Sequence, residues 1–492
     1  MNDTADFNFN EIKKAHFIGI GGIGMSGIAR LLLKTGVKVF GSDLKESEIT
    51  RTLKAEGARI FIGHRVSNLT DPGVVVISSA VKAGNPELEA AAKKGIRVVP
   101  RALMLAKLAS SKKTVTVSGS HGKTSTTSML ASALEGAGAD ATVVVGGLFK
   151  NIGSNIKIGA GDYLVAEADE SDGSFLYFNP LVTCVTNIDS DHLDFYKNMT
   201  NLKTAFLSHI AKVPFYGAAV VCADDPGVAS ILSSVETPLI TYGCKPGFDW
   251  VAKNLKSGPE GLVYDAYFKG ERLGRVALRS GGRHNALNSL AALAAGRYLG
   301  FDFAGLVNGL ANFRGVKRRM EKIGEYAGVT FLDDYGHHPT EIKATLETVP
   351  AMYNMGRGLS RLSGRDSNTD HRLVRPQSFR PGPKERRRLI VLFQPHRYSR
   401  TSILRRDFPA AFDAADMTYV MDIYAAGEKP LPGVTSQLIL DGLEKRGLKA
   451  ERFPGAMEVA KNLRAGDVLI TVGAGDVWKL GEEIKLKLEM MS

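Results

Sequence analysis

The chain has 492 residues, 44% of them hydrophobic, and three cysteines without paired spacing; this is enough apolar material for about two to four globular domains and gives no basis for a disulfide framework or a cysteine zinc motif. The opening "MNDTADFNFNEIKK" lacks the apolar core of a leader and no run of 18 apolar residues follows it, so a cytoplasmic protein without membrane insertion is expected. A net charge of +12 raises nucleic-acid binding, but residues 356 to 388 hold nine Arg and one Lys against two Asp and one Glu, a local +7 in a Ser-, Gly- and Pro-rich stretch; this reads as a solvated insertion with no nucleic-acid partner, the alternative being a basic tether to RNA, membrane phosphates or another protein.

The first hundred residues or so alternate short apolar strands, "KKAHFIGIGG", "KVFGSD", "RIFIGH", "VVVISSA" and "IRVVP", with helical patterns such as "NPELEAAAKKG". That alternation predicts a doubly wound, mostly parallel sheet. After the first strand, Gly19-x-Gly21-x-x-Gly24 overlaps Gly22-x-Gly24-x-x-Gly27 and enters a helix, and Asp43 closes the second strand 19 residues after Gly24. Free amides and the helix dipole favour a pyrophosphate there, and an acid at that place commonly meets a ribose hydroxyl. NAD, another diphosphate, and glycines serving only close packing all satisfy the pattern.

A new unit opens at Thr114 with the strand "TVTVSGS", the loop "SGSHGKTS" and the helix "TTSMLASALEGAG". Gly119 and Gly122 let the backbone approach phosphate oxygens, Lys123 can reach terminal phosphates, and Thr124 offers a hydroxyl to magnesium. Fewer residues separate the two glycines than in the usual phosphate loop, so a chance Gly-Lys-Thr turn stands beside the nucleotide reading. The following strands favour the nucleotide: "LVAEADESD" ends in Glu167, Asp169, Glu170 and Asp172, and "NIDSDHLD" adds Asp189, Asp191, His192 and Asp194, oxygen ligands suited to magnesium. Most of these acids are expected to be solvated loop residues.

Residues 248 to 280 alternate like antiparallel hairpins, the helix "HNALNSLAALAAGRYLG" leads to "NFRGVKRRME", and "VTFLDDYG", "RLIVLFQPH", "MTYVMDIYAAGE" and "DVLITVGAGD" restart an α/β pattern. The expected architecture is α/β in three domains: residues 1–111, Rossmann-like; 112–316, a P-loop-type ATPase domain with a mostly parallel sheet; and 317–492, Rossmann-like with the Arg-rich insertion at about 356–388. In "DDYGHHP" the adjacent His337 and His338 diverge and lack H-E-x-x-H spacing, so no zinc site is expected.

Taken together these pieces resemble the Mur ligase family, the ATP-dependent amide-forming enzymes of peptidoglycan synthesis. Nine stretches, "GIGGIGMSGIA", "SSAVKAGNPE", "GSHGKTS", "AEADESDGSF", "NIDSDHLD", "GRHNALNSLAA", "GVKRRME", "DDYGHHPTEI" and "FQPHRYSRT", occur in the family's order across nearly the whole chain. Gly-x-x-Gly-Lys-Thr is that family's form of the ATP loop, so the resemblance implies ATP and Mg2+ at the second cradle and the sugar nucleotide UDP-N-acetylmuramate, in place of NAD, at the first. It implies that Gly21, Gly22 and Gly24 cradle the diphosphate, with Asp43, His64 and Ser78 about the uridine. Gly119, Ser120, His121, Gly122, Lys123, Thr124 and Ser125 would hold ATP, with Thr124, Glu167 and His192 on the metal.

Asn285 and Asn288, which the residues alone present as a helix cap and a surface polar group, would contact adenine, and Arg319 and Asp334 would reach ATP from the third domain. Tyr335 and His337 would line the substrate pocket, and Arg397 and Arg400 would clamp carboxylate and phosphate, a guanidinium being able to pair two oxygens at once. The implied catalytic set is Lys123, Glu167, His192, His337 and Arg397. The implied reaction joins L-alanine to a lactyl carboxylate through an acyl phosphate; a murein-peptide recycling ligase or a later stem-peptide ligase is the alternative within the family. Outside it stand an NAD-dependent oxidoreductase and a non-enzymatic nucleotide-binding partner of the division machinery. Monomer and homodimer are both compatible with the sequence.

Overall fold

The structure, a computed structural model, describes residues 11–78, 80–355 and 387–491; the Arg-rich insertion, apart from Arg387 and Arg388, lies outside them. Two compact units form, one from Met1–Asn254, Tyr264–Ala277 and Ala286–Val316, the other from Leu255–Val263, Leu278–Asn285 and Lys317–Ser492. Three sheets give the α/β architecture expected from the sequence.

The first sheet contains β1 (Lys14–Ile18), β2 (Lys38–Asp43), β3 (Arg59–Ile62), β4 (Val74–Ile77) and β5 (Val98–Pro100) in the order β3-β2-β1-β4-β5. Every pairing is parallel. Phe17 and Val76 on one face and Ile18 and Val75 on the other are fully buried, as expected of strands covered on both faces. The order reverses at β1, which puts a crevice at the carboxyl ends of the strands where a ligand can sit.

The second sheet has ten strands. Its parallel centre is β7 (Thr142–Phe149), β9 (Tyr163–Glu167), β6 (Lys113–Ser118), β10 (Val182–Val185), β11 (Ala218–Cys222) and β12 (Leu239–Gly243), while β8 (Ser154–Lys157) runs antiparallel to β7 at one edge. The hairpin region supplies β13 (Trp250–Gly258), β14 (Gly261–Phe268) and β15 (Glu271–Leu278) at the other.

Under this sheet His209 is fully buried. Its Nε2 lies 3.2 Å from Thr116 Oγ1 and 3.0 Å from Thr183 Oγ1, and its ring stacks on Phe175 at 4.9 Å. Burial, with Lys212 adding to it, pushes its pKa down to about 3. The folded state therefore keeps His209 neutral while the unfolded chain binds a proton below about pH 6.5, so stability is fully present above that pH and falls as pH drops toward 3. Replacing His209 by Gln is expected to flatten the pH dependence of the urea midpoint between pH 6.5 and 4, removing up to about 1.4 kcal/mol per pH unit; an unchanged slope would mean the ring titrates normally in the fold.

The third sheet is β16-β17-β21-β18-β19-β20, built from β16 (Glu321–Tyr326), β17 (Val329–Asp334), β18 (Leu389–Phe393), β19 (Met417–Val420), β20 (Ala450–Arg452) and β21 (Val468–Val472). Only β16 is antiparallel to its neighbour. Among the described residues no helix is long and apolar enough to cross a membrane.

Candidate active site

The loop after β6 enters the helix Lys123–Gly136. Gly119 and Gly122 have φ of 132° and 82°, a region that favours glycine. A Cβ at Gly119 would lie 2.1 Å from Thr186 Oγ1 and one at Gly122 would lie 2.9 Å from Asn288 Oδ1, so both glycines are required by space as well as by conformation. The end of β10 straps the loop in place. Thr186 Oγ1 donates to the His121 carbonyl at 2.6 Å, Asn187 Nδ2 donates to the same carbonyl at 2.9 Å, and Asn187 Oδ1 accepts from His121 N at 2.8 Å. His121 Nε2 and Asp189 Oδ2 are 3.0 Å apart, and Ser120 Oγ accepts from Asp189 N at 2.9 Å.

At the head of the helix, Lys123 Nζ donates to Gly119 O at 2.7 Å, Ser120 O at 3.3 Å and Glu170 Oε1 at 2.8 Å. Burial alone would lower the Lys123 pKa, but the carboxylates of Glu170, Asp169 and Glu167 outweigh it and hold the ammonium well above its usual value. Burial raises Glu170, against the opposing charge of Lys123. The acid cluster is thus less solvated than its sequence suggests: Glu170 and Asp191 are buried, and Glu170 Oε2 is a buried oxygen without a hydrogen-bond partner among the described residues. The cause is geometric, since Glu170 turns under the loop to meet Lys123 instead of continuing outward from β9.

Glu167, at the end of β9, accepts on Oε2 from Thr124 Oγ1 at 2.9 Å and from Gly146 N at 2.7 Å. His192 Nε2 lies 3.6 Å from Glu170 Oε1 and 3.6 Å from Asp191 Oδ2. Ser125 follows Thr124 in the first turn, half-buried. Asn288 is buried against Gly122 and is not a surface group, because the helix Arg283–Tyr298 is buried continuously from Asn288 to Gly296. Asn285 donates from Nδ2 to Gly281 O at 2.7 Å.

In the first sheet, Gly19 N and Ile20 N both donate to Ser42 O, and Gly21 N donates to Asp43 Oδ2 at 2.8 Å. Gly22 caps the helix Ile23–Lys34. Against Gly24 lies the Arg101 guanidinium, with Nη1 2.0 Å from where a Cβ would be; Arg101 was not singled out by any local pattern, since it comes from the helix after β5. His64 Nδ1 lies 2.9 Å from Ser42 Oγ. Ser78 follows β4, half-buried, and its carbonyl accepts from Val81 N at 3.1 Å.

In the unit built on the third sheet, Asp334 uses both oxygens on backbone amides, Oδ2 from Met320 N at 2.7 Å and Oδ1 from Gly336 N at 2.8 Å. Burial raises its pKa to about 6 despite the Arg319 charge. The Arg319 guanidinium lies 5.4 Å from the Tyr335 ring centre, with Nη1 3.3 Å from Glu341 Oε1. Asp334 therefore shapes the turn that carries Arg319.

Tyr335 and His337 pack edge to face at 5.7 Å, His337 packs on His396 at 5.7 Å, and His396 stacks on Tyr424 at 5.7 Å. Arg400 Nη1 lies 3.3 Å from His396 Nδ1. Arg397 has φ of 69°, and its Nε is buried without a hydrogen-bond partner among the described residues; a strained, non-glycine residue with an unsatisfied donor is a feature of functional sites. His396 and Tyr424 escaped the sequence reading, although His396 lies inside "FQPHRYSRT".

Residues 14–113 match the Mur ligase family catalytic domain, 117–296 the Mur ligase middle domain, and 318–375 the Mur ligase glutamate ligase domain. The chain is 45% identical over 476 residues to the UDP-N-acetylmuramate–L-alanine ligase of Endomicrobium trichonymphae, covering 97% of this chain and 99% of that one. It is 45% identical over 474 residues to the protein of the same name from Desulfosudis oleivorans, covering 95% and 97%. The crystal structure of the UDP-N-acetylmuramate-alanine ligase of Thermotoga maritima matches with a TM-score of 0.75 at 27% identity, over 97% of this chain and 100% of that one. A murein peptide ligase from Psychrobacter arcticus shares the fold, with a TM-score of 0.64 at 23% identity over 97% and 98%.

Proposed function

The chain belongs to the Mur ligase family, and from that premise we infer that it is an ATP-dependent ligase of peptidoglycan precursor synthesis, joining L-alanine to the lactyl carboxylate of UDP-N-acetylmuramate with release of ADP and phosphate. The three domains divide the work. Residues 1–111 hold the UDP sugar, 112–316 hold ATP, and 317–492 hold the amino acid. A reaction fed by ATP and a sugar nucleotide belongs in the cytoplasm.

The observation that carries the reading is the head of the helix Lys123–Gly136, where a buried carboxylate, Glu170, holds Lys123 among loop carbonyls and Glu167 holds Thr124. The lactyl carboxylate attacks the γ-phosphorus of ATP in line, forming a carboxyl–phosphate bond as the bond to ADP breaks; the amine of L-alanine then attacks the acyl carbon, and phosphate leaves. Two anions must meet in the first step, so the protein's task is to neutralise charge and to position. Lys123 and the loop amides serve the terminal phosphates, Arg397 and Arg400 the carboxylate and phosphate oxygens, and Tyr335 and His337 line the acceptor pocket.

Thr124, Glu167 and His192 are the groups we assign to magnesium. The Thr124 hydroxyl and Glu167 carboxylate already meet at 2.9 Å, and the Glu170 Oε2, buried without a hydrogen bond among the described residues, belongs to the same cluster, a donor set suited to a hard cation. When bound, the ion would supply positive charge that offsets the negative charge of the phosphates.

The test is incubation with magnesium, ATP and UDP-N-acetylmuramate, adding L-alanine, D-glutamate or a tripeptide separately and following phosphate release with the mass of the sugar nucleotide. Gain of one alanyl residue with stoichiometric phosphate is expected only with L-alanine; turnover with another acceptor would move the protein to another step of the family. Deleting residues 358–384 of the Arg-rich insertion is expected to leave kcat within about threefold, as for an inserted segment that supplies none of the residues assigned to the chemistry; a collapse in a folded deletion variant would give the insertion a catalytic role.

A further inference from the structure

A polar cluster in the first sheet takes no part in the chemistry above. Glu87, in the first turn of the helix Pro86–Lys93, is fully buried. Its Oε2 accepts from His16 Nε2 at 2.9 Å and Ser42 Oγ at 2.6 Å, and its Oε1 accepts from Asn68 Nδ2 at 2.6 Å and Arg65 N at 3.1 Å. Burial by itself would push this carboxyl up, but the bonds from His16, Ser42 and Asn68 hold it below the ordinary value. Glu87 is therefore a carboxylate, which only accepts, and the single hydroxyl proton of Ser42 goes to it. Ser42 Oγ also lies 2.9 Å from His64 Nδ1. With its proton committed, that oxygen can only accept, so the ring proton of His64 sits on Nδ1 and Nε2 is left as a bare acceptor.

The sheet order gives this acceptor its address. Phosphate belongs at the glycine loop after β1 and ribose at the end of β2; β3 is the next strand outward, and His64 stands just past its end. A base attached to that ribose reaches His64. Uracil presents an imide N–H between two carbonyls, whereas cytosine presents a bare ring nitrogen at the same place. A bare Nε2 accepts from the first and is repelled by the second.

We propose that Glu87 and Ser42 are positioning residues that lock His64 in its Nδ1–H tautomer, so that Nε2 selects a uracil base by accepting its imide proton. The proposal rests on the reading of the first domain as the UDP-sugar site.

Two measurements on the full-length protein test it. In protein carrying 15N-histidine, long-range 15N–1H correlation at about pH 8, with His64 assigned through His64→Gln, is expected to show the Nδ1–H pattern; an Nε2–H pattern overturns the lock. Calorimetry with UDP and CDP on the wild type and on Ser42→Ala is the second. The wild type is expected to prefer UDP by about tenfold or more, the size of one hydrogen bond gained against one acceptor opposed. In Ser42→Ala the ratio falls toward one, with ATP binding unchanged as evidence that the variant is folded. An unchanged UDP-to-CDP ratio in that folded variant overturns the proposal while leaving the UDP site intact, whereas a wild type that binds neither nucleotide overturns the UDP-site reading and base selection together.

Discussion

Replacing Lys123 by alanine is expected to lower the rate of ADP formation by about a thousandfold or more, because the first step brings a carboxylate against a polyphosphate and Lys123 is the cation of the phosphate loop. Its ammonium sits among Gly119 O, Ser120 O and Glu170 Oε1, three acceptors for three donors. Lys123→Arg should rescue little, since a planar guanidinium cannot point at three oxygens around one nitrogen. The fold should survive Lys123→Ala. Glu170 would be left buried without its partner, but burial already raises its pKa, so it can take up a proton instead of remaining an isolated charge. Phosphate release and circular dichroism on the same preparation decide the matter: turnover near wild type in the folded variant would remove Lys123 from the chemistry and the phosphate loop with it.

What could be read in advance follows from how local each feature is. The parallel strands are apolar runs closed by glycine or acid, as in "KVFGSD", which became Lys38–Asp43 without change. The edge strand Glu321–Tyr326, "EKIGEY", was missed because its charges, which discourage edge-to-edge pairing, also hide its period. Asn288 reads as a surface group when a polar residue is weighed alone; it is followed by the small and mostly apolar run "SLAALAAG", which marks a stretch of helix buried on every side. Within "AEADESD" nothing local distinguishes Glu167, which stays beside Thr124, from Glu170, which turns under the loop to Lys123.

Glu87 was invisible for a different reason. "NPELEAAAKKG" is an ordinary capped helix start with acids in its first turn, and Asn85 does accept from Glu87 N and Leu88 N. The residues that bury it and hold its charge stand 71, 45 and 19 positions away. The straps Thr186 and Asn187 on the phosphate loop are equally remote from it in sequence. Local pattern reports the elements and the glycine loops; convergence of side chains from separate strands appears only with the fold.

The choice between the two glutamates makes Glu167→Gln the second decisive variant. Glu167 Oε2 accepts from both Thr124 Oγ1 and Gly146 N. A glutamine keeps the volume but loses the charge in either orientation, and in one of them it also turns an N–H against the Gly146 N–H. The rate is expected to fall about a hundredfold and the magnesium concentration for half-maximal rate to rise about tenfold, the scale of losing one charged ligand or its orientation. ATP should still bind, because the loop amides and Lys123 are untouched. Asp172, exposed at the end of the same acid run, is the control, and Asp172→Asn should stay within about twofold. Should Glu167→Gln keep both the rate and the magnesium dependence of the wild type, the metal would belong instead to Glu170, whose Oε2 is buried without a hydrogen bond among the described residues; Lys123 would then have to leave Glu170 for the phosphates as the ion arrives, and Glu170→Gln would show the loss that Glu167→Gln did not.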